Sequence, residues 1–169
     1  YSGDSQLHLF TVRFVADVTA WQNNGDGVQD QLEEILSRTS FVYEQQLNIR
    51  LELASIEIHR TSTGAPSYSQ GCSGDFMNSK LNALQSSTQP FEAATHLFTG
   101  CGTGYGTVGL AWVGTICNSR GYNTGVNQLR GRSWLTFAHE LGHNFGGQHS
   151  FENGQGQTGG IMDYGDGTL

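Results

Sequence analysis

The period of the hydrophobic positions changes several times along the chain, and each change marks an element. Residues 7–17, LHLFTVRFVAD, are a nearly unbroken apolar and β-branched run, which predicts an inner strand covered on both faces. WQNNGDG follows, and its Asn-Gly and Asp-Gly pairs suit positive φ, so a turn is expected there. From 28 to 46 the spacing becomes helical. Val28, Leu32, Ile35, Thr39 and Val42 share one face, Glu33, Glu34, Arg38 and Gln45 are left for solvent, and Asp26 is the expected N-cap. LNIRLELASIEIH (47–59) alternates through Leu47, Ile49, Leu51 and Leu53 and then slips phase to Ile56 and Ile58, which predicts a second strand with a bulge.

Residues 60–75 read as a loop around Pro66, followed by a weaker helical pattern over 75–87 carried by Phe76, Leu81 and Leu84. ATHLFTG (94–100) is expected as a short buried strand, CGTGYGTVG as a glycine-rich link, LAWVGTIC (110–117) as a further strand, and 118–132 as loop. WLTFAHELGHNF (134–145) returns to helical spacing, with Trp134, Ala138, Leu141 and Phe145 along one side, and the remainder is glycine-rich coil. The order strand, helix, strand, helix, strand, strand, helix, coil implies an α/β layer, without internal repeats or a linker that would divide the chain.

Composition narrows the partners. Asp and Glu number 15 against 8 Lys and Arg, a formal net charge of −7, so the chain gains nothing from counterion release on phosphates and nucleic acid is not expected. No run of 18 apolar residues is present, so no membrane segment is read. Lys is nearly absent while Ser, Thr, Asn and Gly are abundant, which favours an extracellular or secreted location, with any signal and pro-segment lying outside this sequence. The cysteines, 72, 101 and 117, match no metal-binding spacing. One disulfide with one thiol, a partner cysteine elsewhere, and three buried free thiols all remain open.

The chemistry concentrates in HELGHNFGGQH, residues 139–149. His139 and His143 are four apart on a helix and share a face, so their imidazoles can converge on one ion, while Glu140 sits one step round, beside the metal. A catalytic zinc needs three protein ligands and an open position. His149, six residues past His143, reaches the same ion only if the chain leaves the helix, and Gly146 and Gly147 stand where that turn is needed. The pattern thus predicts one zinc ion on His139, His143 and His149, with Glu140 free to act on water. A calcium loop finds only partial support: NNGDG lacks a closing Glu, so Ca2+ has no motif behind it.

The full HExxHxxGxxH signature, followed by Met162 in GGIMDY, resembles the metzincin clan of zinc endopeptidases, and HELGHNFG, THLFTG with GLAWVGTIC, and the opening strand–helix–strand are most similar to its adamalysin or reprolysin (ADAM-like) family. The resemblance covers nearly the whole chain. It implies a metzincin-type catalytic domain: a mixed twisted sheet with two long helices in the N-terminal part and a small irregular part after the active-site helix. It also implies a single domain over 1–169, divided into an N-terminal subdomain 1–146 and a C-terminal subdomain 147–169 that continues in relatives into a further helix. Met162 is then the Met-turn, an apolar floor beneath the histidines. The position after the third histidine is Ser150 where adamalysins carry Asp, and Gly160 replaces a common Cys, which leaves the pairing of Cys117 open. Tyr164, two after Met162, has the spacing seen in astacins and serralysins, which implies an additional, displaceable zinc ligand; packing under the site is its other expected role.

The implied reaction is hydrolysis of internal peptide bonds in extended polypeptides, by water activated on zinc with Glu140 as general base. The extended substrate needs an edge strand, and 107–113 is the candidate, with Gly109, Leu110 and Ala111 at its centre; a plain core strand is the alternative. Two other classes compete. One is an inactive metzincin-fold binding module, against which retention of Glu140 speaks. The other is a structural zinc site, which wants a fourth protein ligand; His8, His59 and His96 are the remaining histidines, and no motif ties them to the site. Substrates are expected to be proteins or peptides, with a monomer the default state.

Overall fold

A computed structural model describes residues 5–102 and 106–163. Its elements are β1 (His8–Ala16), α1 (Val18–Asn24), α2 (Val28–Leu47), β2 (Ile49–Ile58), α3 (Phe76–Gln85), β3 (Ala94–Thr99), β4 (Gly109–Ala111), β5 (Thr124–Gln128) and α4 (Ser133–Asn144). They form one five-stranded sheet of order β2-β1-β3-β5-β4, parallel except for β4, which runs antiparallel to β5 at one edge. The period-two alternation of β1 divides the core. Val12, Phe14 and Ala16 face α2 and α4, together with Leu32, Ile35, Phe98, Phe137 and Leu141, while Val15 joins Leu97 and Val126 under Met77, Leu81 and Leu84 of α3. Helices therefore cover both faces, as a mainly parallel sheet requires.

Most of the expected elements are present, and the face expected for α2 is buried at all five positions. The phase slip in 47–59 is a real bulge: β1–β2 register jumps so that Val12 faces Leu53 and Arg13 faces Ser55, leaving Ala54 extra. Four expectations need correction. WQNN is not part of a turn. It lies in α1, whose N-cap Asp17 accepts from the Ala20 amide at 2.7 Å; only Gly25–Gly27 make the tight turn. Asp26 lies in that 3-10 turn and does not cap α2, which begins after Gly27 without a side-chain cap.

The strand expected over 110–117 stops at Ala111. Beyond it the chain turns so that the amides of Gly114, Thr115 and Ile116 bond the carbonyls of His143 and Asn144, in the last turn of α4 where i+4 donors run out. Lastly, 118–132 is not all loop, because β5 occupies 124–128 and every one of its residues is buried. Its sequence, TGVNQ, hides a central strand because its polar side chains find acceptors inside: Asn127 donates to the Leu97 carbonyl at 3.4 Å and Gln128 to that of Thr107 at 3.0 Å, although Asn127 Oδ1 has no hydrogen-bond partner among the described residues.

At the carboxyl ends of β1 and β3 the core closes on a buried ion pair. Asp17 and Lys80 meet at 3.0 Å, and Lys80 also donates to the carbonyls of Tyr68 and Gln70. Such a pair needs this full set of hydrogen bonds to offset desolvation. Cys72 and Cys101 form a disulfide beside it, pinning the 60–75 loop to the end of β3, and Cys117 is an exposed free thiol. Closing a span with a sequence separation of 29 restricts the unfolded chain. Replacing both cysteines by serine is expected to cost about 3 kcal/mol of unfolding free energy in urea titrations; a loss below about 1 kcal/mol would show that the ion-pair network holds this end alone.

Candidate metal centre

The amphipathic face of α4 packs Phe137, Ala138 and Leu141 on the sheet, which turns His139, Glu140 and His143 toward the β4 edge. The helix ends as glycine dictates. Gly146 has φ 97°, its amide bonds the His143 carbonyl, and the Gly147 amide reaches back to Gly142 at 2.8 Å. This is a Schellman-type stop. It releases the chain to bring His149 back.

The three Nε2 atoms converge: His149 Nε2 lies 3.2 Å from that of His139 and 3.2 Å from that of His143. The donor atoms of all three lie within 4.8 Å of one another. His139 and His143 are oriented by backbone. His139 Nδ1 donates to the Ile161 carbonyl at 2.7 Å, and His143 Nδ1 donates to that of Gly147 at 2.8 Å. Those bonds commit the ring hydrogens to Nδ1 and leave lone pairs on Nε2. Tetrahedral zinc with bonds of about 2.0–2.1 Å places its ligand atoms about 3.3 Å apart, so donor type and spacing both fit that ion. Burial pushes His139 down to about 4, chiefly by desolvation and further by the neighbouring histidines, and it lowers His149 in the same direction. Neutral imidazole, the form that ligates, thus prevails at neutral pH.

Glu140 is buried, and desolvation alone pushes its carboxyl up to about 8. Gly109 makes room for it, since a Cβ there would overlap the Glu140 carboxylate. Across the helix, the Tyr43 hydroxyl donates to the Ala138 carbonyl at 2.6 Å; burial and the Glu140 charge push its pKa upward, so it stays a neutral donor.

Met162 lies under the helix. Its sulfur fills the space where a Gly142 Cβ would stand, and its Cε lies against Gly147. The Met162 carbonyl accepts from the Ser150 amide at 3.1 Å, tying this turn to the third histidine's loop. Asp163, a residue that sequence reasoning missed, fastens the same loop by accepting from the amides of Gly156 (2.7 Å) and Gly159 (2.9 Å). Asn144 was missed as well. Its side chain bonds the carbonyls of Trp112 and Thr124 and the Nε2 of His96, joining α4 to β3, β5 and the chain after β4. The motif writes Asn144 as a variable position, and no spacing flags Asp163. Of the expected site residues, His139, Glu140, His143, His149 and Met162 come together here, and Gly109 of β4 touches Glu140. Tyr164 lies outside the described residues. His96 is a satisfied core residue between Asn127 (3.1 Å) and Asn144 (2.9 Å).

A reprolysin-type family model described as metallo-peptidase family M12 matches residues 7–166. The chain belongs to metallopeptidase family M12. Similar M12 proteins include a disintegrin and metalloproteinase domain-containing protein B of Aspergillus fumigatus, 26% identical over 148 residues, covering 78% of this chain and 19% of the relative. The protein of the same description from Trichophyton verrucosum is 30% identical over 171 residues, covering 82% of this chain and 21% of its own length. The chain thus spans about a fifth of the length of the curated relatives it matches. A solved structure described as a chaperone–substrate complex aligns with a TM-score of 0.62 at 18% identity, covering 96% of this chain and 28% of that one, and it bears on the fold alone. The mixed sheet with its helices is the metzincin-type catalytic fold of the M12 family.

His96 supplies a pH test of this packing. Burial holds it at about 4, against an ordinary 6.5. The unfolded chain therefore binds its proton first as pH falls, and stability drops between about pH 6.5 and 4 and levels off below. The loss reaches at most about 3 kcal/mol from this residue. In metal-free protein, His96→Gln is expected to flatten the pH dependence of urea unfolding over that window; equal slopes in the two proteins would contradict a neutral buried imidazole.

Proposed function

We propose that the chain is the catalytic domain of a zinc-dependent endopeptidase that cleaves internal bonds of extended polypeptides. The observation that carries this reading is the convergence of the His139, His143 and His149 Nε2 atoms, with the buried Glu140 next to His139 on the same helix. A zinc ion held by those nitrogens would supply Lewis acidity, acidifying water and polarising the scissile carbonyl. Glu140, seated on one side of the cluster, accepts the proton of the attacking water and delivers it to the leaving amine. Its carboxyl is poised for both directions because burial raises its proton affinity, while a neighbouring cation favours the ionised form.

Substrate lies along β4. Among the described residues, Gly109–Ala111 pair with Asn127–Gly125 at the edge of the sheet, so the other side of this strand takes an added antiparallel strand, and the glycine allows close approach to Glu140. Met162 supports the ligands from below and touches no substrate. The domain is assigned to 1–169, divided into an N-terminal subdomain 1–146 and a C-terminal subdomain 147–169, of which the described residues 147–163 are irregular chain beside the histidines. A secreted or extracellular location agrees with the Cys72–Cys101 disulfide.

The test separates base from ligand. Glu140→Gln is expected to lower casein cleavage by about a hundredfold or more while binding zinc as well as the parent protein. His143→Ala loses both cleavage and metal. Parent protein that binds zinc yet cleaves no member of a broad peptide library would instead favour an inactive binding module, and undiminished cleavage by Glu140→Gln would remove the assigned base.

A further inference from the structure

The three candidate ligands are not held alike. His139 and His143 stand on a helix and donate through Nδ1 to the carbonyls of Ile161 and Gly147. His149 stands on irregular, exposed chain beyond two glycines, where side-chain and backbone freedom make an aimed ring costly. Phe151, two residues on, stacks on its ring with centroids 4.9 Å apart and planes 20° from parallel. The His139 ring lies 5.1 Å away at 27° and the His143 ring 4.8 Å away at 72°. The stacked His149 ring thus holds a plane in which its Nε2 meets the other two.

We propose that Phe151 is a positioning residue for the metal centre: it clamps the His149 imidazole in the plane from which Nε2 meets the ion, and so sets how long the ion stays. This rests on the three-histidine metal reading. Offset aromatic stacking restrains tilt but leaves in-plane adjustment, which suits a ligand that must settle on an ion after the two helical histidines are in place. Ring orientation by neighbours is a general determinant of metal affinity, and its loss typically costs tenfold or more.

The experiment is chelator competition for zinc, with cobalt(II) absorption as the spectroscopic signature of the ligand field. Phe151→Ala is expected to weaken zinc about tenfold, mainly through faster dissociation, and to shift the cobalt spectrum, with the metal-free melting temperature unchanged. Phe151→Tyr, which keeps the stack, stays within about twofold of the parent, and Phe151→Leu, which keeps bulk without a ring face, behaves like Phe151→Ala and guards against misfolding of the smaller variant. Parent-like zinc release and spectrum in a folded Phe151→Leu protein would overturn the proposal. His149→Ala distinguishes the two failures. If it weakens zinc while the Phe151 variants do not, only the clamp is wrong; if it too leaves zinc unchanged, the three-histidine centre itself is wrong.

Discussion

Three imidazole lone pairs aimed at one point repel one another, and a chain accepts that arrangement only if other forces fix each ring. Two of those forces are visible in the backbone bonds from Nδ1 of His139 and His143. The accepting carbonyls belong to Ile161 and Gly147, on either side of the loop that carries His149. Orienting the first two ligands and folding back the third are therefore one act. The glycine stop at Gly146 makes it feasible, because a side chain there would be strained at φ 97°. A cation held between the nitrogens would turn that repulsion into attraction.

The rest of the fold serves to hold α4 in place against that cost. Tyr43 reaches from α2 to the Ala138 carbonyl, Phe137 packs edge-on against Phe14 and His96, and Asn144 reaches three separate parts of the sheet layer. The edge strand meets the same helix through the Gly109–Glu140 approach, and the chain just after it through the Gly114–Ile116 amides on the last carbonyls. Strand β4, Glu140 and the three histidines thus share one frame, and the disulfide and the Asp17–Lys80 pair close the sheet beyond β1 and β3. Positioning by rigid elements is what a hydrolytic site needs from its scaffold.

Local pattern made the three-histidine cluster legible, because HExxHxxGxxH encodes the helix face, the break and the return within eleven residues. The resemblance to the reprolysin family rested on those residues together with GGIMDY, THLFTG, GLAWVGTIC and the opening strand–helix–strand, and the long elements β1, α2 and β2 were legible from period alone. What escaped was decided by tertiary contacts. Strand β5 looks polar, and only its buried partners in β3 and the Val108 carbonyl make TGVNQ a core strand. The residues after Ala111 look like a strand until the last turn of α4 claims their amides. Helix α1 was hidden by the turn signal at Gly25–Gly27, although Asp17 was a usable N-cap cue. Asp163 and Phe151 act through loop geometry that no spacing rule encodes. Tyr164 lies beyond the described residues, so its role stands where sequence reasoning left it.

The most direct measurement is a zinc titration followed by long-range 15N–1H NMR of the histidine rings. The convergent geometry predicts that three of the six histidines, assigned to 139, 143 and 149, shift together and saturate at one equivalent. Each should bind through Nε2, with the ring hydrogens of His139 and His143 remaining on Nδ1. Binding by only two of these rings, coordination through Nδ1 of His139 or His143, or recruitment of His96 would contradict it.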